Sequence, residues 1–108
     1  MAGYSSAREY FERMRDEITE EQARQLAGVY EFDIRDAGRF RVRFNEDGTL
    51  DVLDENDETK PECTLMANEK DWLSIVSGET KPMSAFMRGK LKVKGSTGKA
   101  MKLQKVLL

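Results

Sequence analysis

The chain has 108 residues, 39% apolar and 35% charged, with no histidine, one cysteine and a formal net charge of −2. A chain of this size hides about two-thirds of the surface its unfolded form exposes, so residues 1–108 read as one charge-rich globular domain, which the helices and strands below make α+β. Without histidine the usual general base, the usual zinc ligand and every Ser-His or Cys-His nucleophile pair are missing; a lone Cys63 excludes an internal disulfide and a thiolate cluster. No catalytic residue, metal site or cofactor is therefore expected.

The first segment places Ala7, Tyr10, Phe11, Met14 and Ile18 at helical spacing behind Ser5 and Ser6, whose hydroxyls suit an N-cap. Thr19-Glu20-Glu21-Gln22 has the form of a capping box, and Gly28 supplies the stop of a short second helix. From Val29 the period changes to two. Tyr30, Phe32 and Ile34 alternate with Glu31, Asp33 and Arg35, and Phe40, Val42 and Phe44 alternate with Arg39, Arg41 and Arg43. With turns at Asp36-Ala37-Gly38 and Asn45-Glu46-Asp47-Gly48, these strands and a third at Leu50–Leu53 predict an antiparallel meander. The acids of the first strand are expected to pair across the ladder with the arginines of the second, giving a solvated, neutralised sheet face and no nucleic-acid surface.

Asp54 to Glu58 is an uninterrupted polar run and reads as a solvated loop, not as a carboxylate site. Cys63, Leu65 and Ala67 mark a fourth strand, with Cys63 a small buried hydrophobe. Asn68 then caps a helix containing Trp72, Leu73, Ile75 and Val76, ended by Gly78. Pro82 opens a short helix carrying Met83, Phe86 and Met87, closed by Gly89, and Lys90 to Lys94 form the last strand. Gly95-Ser96-Thr97-Gly98-Lys99-Ala100 superficially suggests a phosphate loop. It lacks the required upstream glycine, where Val93 stands, and the Ser or Thr after the lysine, where Ala100 stands, so it reads as a helix-start turn.

The C-terminal helix combines a basic arc of Lys99, Lys102 and Lys105 with an apolar side centred on Ala100, Leu103 and Leu107. All 20 acids precede residue 82, whereas the last 27 residues carry only cations: Arg88, Lys90, Lys92, Lys94, Lys99, Lys102 and Lys105. Such an asymmetry points to an anionic partner. Periodicity leaves two roles open for the apolar side: sealing a solid core, or forming the wall of an apolar cavity. No run reaches the roughly 18 apolar residues of a membrane span, residues 1–16 lack a signal-peptide core, and Val106-Leu107-Leu108 matches no common C-terminal address; a cytoplasmic location is expected.

The run from Asp71 to Gly95, Asp-Trp-Leu-Ser-Ile-Val-Ser-Gly-Glu-Thr-Lys-Pro-Met-Ser-Ala-Phe-Met-Arg-Gly-Lys-Leu-Lys-Val-Lys-Gly, followed by Met101-Lys102-Leu103-Gln104, resembles the sterol carrier protein-2 (SCP2) domain. Gly28 to Asp33 also looks like that family's first strand. The resemblance implies a five-stranded sheet with helices covering one face and an apolar tunnel for a fatty acid, fatty acyl-CoA, sterol or phospholipid, with no covalent chemistry. It places Trp72, Ile75, Val76, Met83, Phe86, Met87, Leu91, Val93, Met101, Leu103, Gln104 and Leu107 on tunnel-forming elements. The second strand departs from the family pattern in lacking a Trp and acids. A peroxisomal C-terminal signal is also missing, which points to a stand-alone, bacterial-type member. The expected partners are a lipid ligand and a transient anionic membrane surface contacted by Lys99, Lys102 and Lys105. The competing reading is a protein-interaction module with a filled core and a basic C-terminal docking face.

Overall fold

The computed structural model describes residues 3–54 and 56–108. Met1 and Ala2, at the start of the segment read for a signal, and Glu55, in the acidic run, lie outside the described residues.

Local chemistry sets most element ends. Helix α1 (Ala7–Glu17) starts at Ser6, whose hydroxyl accepts from the Glu9 amide at 3.1 Å. Helix α2 (Glu20–Leu26) opens on the reciprocal box: the Thr19 hydroxyl accepts from Gln22 N, and the Gln22 side chain accepts from Thr19 N. Two amides that would otherwise lack helical partners are thereby satisfied. The chain leaves α2 through Ala27 (φ 20°) and Gly28 (φ 150°), where a β-carbon would run into the Glu62 carboxylate. The backbone angle thus favours glycine at position 28, and a side chain there would also displace Glu62.

Strands β1 (Gly28–Ile34), β2 (Gly38–Phe44) and β3 (Leu50–Leu53) form the expected meander. Strand β4 (Cys63–Ala67) then pairs parallel to β1, and β5 (Lys92–Gly95) pairs antiparallel to β4, giving the order β3-β2-β1-β4-β5. Between them lie α3 (Glu69–Val76), capped by Asn68, and α4 (Pro82–Met87); α5 (Thr97–Leu107) follows the last strand. The last strand begins two residues later than the sequence suggests. The Lys90 and Leu91 amides both donate to Ala85 O as the chain turns away from α4 through Gly89 (φ 75°).

One register line across the inner face runs Phe40, Phe32, Leu65, Val93. At its aromatic end Phe11 packs 4.9 Å from Phe32 and 4.4 Å from Phe40, and Trp72 lies 5.8 Å from Phe11, ring centre to ring centre. Large rings fill the space there. At the other end Leu65 and Val93 are smaller, and the helices above them do not close down on the sheet.

The opposite face carries the expected cross-strand pairs, Glu31 with Arg41 at 2.8 Å and Asp33 with Arg39 at 3.8 Å. It is neutralised but not fully solvated. Arg41 also donates to Asp57 O and Thr59 O, so the loop after β3 lies over the pair and Glu31 is only 8% exposed. The covering loop accepts twice from Arg41 Nη1, which helps make burial of this charge pair tolerable, while the buried Nε–H finds no partner among the described residues.

Candidate functional site: an apolar cleft between two helices

The cleft is built on the thin end of the core. Its floor is Leu65 on β4 with Leu91 and Val93 at β5; one wall is Pro82, Met83 and Phe86 of α4; the other is Thr97, Ala100, Met101, Gln104 and Leu108 from α5 and its end. Only Thr97 and Gln104 bring polar side chains. Its volume is about 200 Å³. Small-molecule sites usually hold about 300–1,000 Å³, so a long chain fits only if α4 and α5 part or if the ligand runs out of the mouth.

The mouth is apolar as well. Phe86 is 51% exposed, Met87 80% and Met101 64%, with Met83 beside them, so four of the five large exposed hydrophobics among the described residues cluster at this edge. Methionines there adapt to contents of irregular shape. Beyond the mouth a more open depression of about 550 Å³ shares Met83, Met101, Gln104 and Leu108 with the cleft and adds Lys102 and Lys105.

Of the residues expected on the tunnel, Met83, Phe86, Leu91, Val93, Met101 and Gln104 come together in the cleft. Trp72, Ile75 and Leu103 instead belong to the solid core, and Val76 packs half-buried against it. Trp72 is buried and packs against Tyr10, Phe11 and Phe32. Met87, exposed on α4, does not line the cleft. Leu107 lines a separate indentation with Tyr4, Tyr10, Met14 and Ile18. Sequence reasoning missed Leu65, Pro82, Thr97 and Leu108, and it named Ala100 only on the apolar side of the C-terminal helix. For α5 the signal was present but displaced: Thr97, Met101, Gln104 and Leu108 recur at helical spacing on the flank of the apolar arc, while its centre, Leu103, enters the core.

The three lysines separate likewise. Lys99 turns inward: its Nζ donates to Ala27 O at 2.6 Å and Leu26 O at 3.5 Å, and stands 3.7 Å from the Glu62 carboxylate. It caps the carbonyl end of α2, a structural role beside the membrane contact expected of it. Tyr30 joins it, donating its hydroxyl to Leu26 O at 2.7 Å. Burial, then the nearby Glu62 and Cys63, push the Tyr30 pKa up to about 12. Burial also raises the Cys63 thiol, which suits a packed hydrophobe better than a nucleophile. Among the described residues no group of three or more His, Cys, Asp or Glu is placed to hold a metal ion, and no helix is long and apolar enough to cross a membrane.

The chain is similar to known proteins over nearly its whole length. Residues 7–108 match the model of the SCP-2 sterol transfer family. Rat "Sterol carrier protein 2" is 34% identical over 101 residues, covering 90% of this chain; the match takes up only 18% of the rat protein. The solution structure of the sterol carrier protein domain 2 of Helicoverpa armigera is 29% identical with a TM-score of 0.68, covering 89% of this chain and 77% of that one. Palmitated SCP2L2 from Aedes aegypti shares the fold at 21% identity, covering 94% of each chain with a TM-score of 0.66. With the five-stranded α+β fold and the match over residues 7–108, the chain belongs to the SCP-2 sterol transfer family.

Proposed function

We propose that this domain is a non-catalytic lipid carrier that takes the apolar part of a fatty acid, fatty acyl-CoA, sterol or phospholipid into the α4–α5 cleft and exchanges it with anionic membranes. The observation that carries this reading is the cleft itself. Nine of its eleven lining residues are apolar, and it opens beside a mouth of exposed Met83, Phe86, Met87 and Met101. Burial of ligand methylenes supplies the driving force, about 0.8 kcal/mol each before ordering costs. Family membership and the palmitated Aedes aegypti neighbour support the same ligand class. The reading needs no covalent step.

For exchange, the mouth lies within the acid-free segment 82–108, while the −9 remainder is repelled from an anionic surface. Lysines near such a surface contribute about 1 kcal/mol each and are screened over about 8 Å at physiological salt. Native mass spectrometry with lipid extraction of freshly purified protein tests binding, and salt-dependent transfer of a fluorescent fatty acid to anionic and neutral vesicles tests exchange. Lipid co-purification and displaceable binding are expected. Protein with neither has a filled core in solution, and the interaction-module reading replaces this one.

A further inference from the structure

The cleft and the depression outside it form one trough with opposite ends. The inner end is apolar. The outer end is the part of that trough that carries charged side chains, and both are cationic: Lys102 and Lys105, which line it with Met83, Met101 and Leu108. Gln104 spans both parts. Among the described residues neither lysine joins an ion pair, whereas Lys99 on the same helix is committed to Glu62 and the α2 carbonyls. Two lysines three residues apart on a helix face neighbouring directions, so a single anionic group can meet both.

We propose that this outer shelf is a headgroup site, and that the trough takes a single-chain amphiphile tail first, with a carboxylate or phosphate head held between Lys102 and Lys105. This rests on the carrier reading above and names its ligand class: an anionic acyl lipid in preference to a neutral sterol or alcohol. Shape favours the same class. A cleft of about 200 Å³ opening onto a shelf of about 550 Å³ suits a narrow tail leading to a solvated head, where a rigid ring system would have to fit entirely inside the apolar part. Lys105 also lies in the last turn of α5, where a cation complements the helix dipole, and that role alone predicts no head preference.

The test is displacement of a fluorescent fatty acid by ligands of one chain length and different heads: dodecanoate, dodecyl phosphate, dodecanol and dodecyltrimethylammonium, with cholesterol and inorganic phosphate as further arms. The parent is expected to prefer the two anionic heads over dodecanol by about tenfold, as two partly solvated charge contacts allow. In a Lys102→Gln/Lys105→Gln variant that ratio should fall toward one, and in Lys102→Glu/Lys105→Glu the preference should pass to the cationic head. Dodecanol serves as the reference on each protein, so a change of fold does not mimic the result. Equal binding of dodecanoate and dodecanol by the parent overturns the headgroup site and leaves the cleft reading standing. A ratio that survives in the Gln variant overturns it too, as does inorganic phosphate competing as well as dodecyl phosphate. Displacement by none of the ligands refutes the cleft and the headgroup site together.

Discussion

Replacing Phe86 with Ala separates a cleft wall from a core position. Full burial of a Phe is worth about 1.5–3 kcal/mol, and Phe86 is 51% exposed, so roughly half of that contact exists to be lost. The expected cost is about 1 kcal/mol, against about 3–5 kcal/mol for a core Phe such as Phe32, which is 1% exposed. Trp72 is the single tryptophan and is buried in the aromatic core away from the cleft, so its fluorescence reports global unfolding without responding directly to ligand. In urea, with a slope of about 2 kcal/mol per molar, Phe86→Ala should move the midpoint by about 0.5 M and Phe32→Ala by three times that or more. Fatty-acid affinity should fall by about fivefold in the Phe86 variant, because the ring covers the bound tail. A full core penalty for Phe86→Ala, with unchanged affinity in the folded protein, would show that the ring is a structural plug and would refute the wall assignment.

Affinity for fatty acids should rise with chain length and then level off once the cleft is filled; each added methylene gains at most about 0.8 kcal/mol, and flat displacement constants across the series would contradict an apolar site. Lys99→Met should destabilise by about 1–2 kcal/mol through loss of charged hydrogen bonds to Ala27 O and Leu26 O, whereas Lys102→Met should stay within about 0.5 kcal/mol; equal urea midpoints for the two variants would remove Lys99 from its capping role. Stability should fall above pH 10. Folded Tyr30 keeps its proton up to about 12, while the unfolded side chain releases it near 10.0, so its contribution is complete below pH 10 and lost as pH rises toward 12. Tyr10, raised mainly by burial, acts in the same direction, and Tyr30→Phe should flatten part of the fall between pH 10 and about 12. A slope unchanged in the Tyr30 variant would refute this assignment.

What the chain determined alone is what depends on neighbours within a few residues. The hydroxyls of Ser6 and Thr19 and the Asn68 amide reach the backbone of their own first turns, so the starts of α1, α2 and α3 are legible. Alternation along Tyr30–Ile34 and Phe40–Phe44 assigns their faces, and opposite charges on the polar faces foretell the Glu31–Arg41 pair. The tail's acid-free composition and its SCP2-like motifs likewise stand in the sequence. Tertiary structure decided the rest, including the parallel pairing of β1 with β4 across the long connection and the covering of Arg41 by the loop after β3. It sent Trp72 and Leu103 into the core while leaving Met101 and Gln104 on the cleft. Helical period gives a side chain's direction around its own axis, but a void exists only where two elements fail to meet, and that depends on their separation and on how large the residues between them are. Phe11, Phe32 and Trp72 fill one end of the sheet; Leu65 and Val93 do not fill the other. Lys99 shows the same limit: its long flexible arm finds carbonyls 72 and 73 residues away in sequence, a partnership that only the folded chain brings within reach.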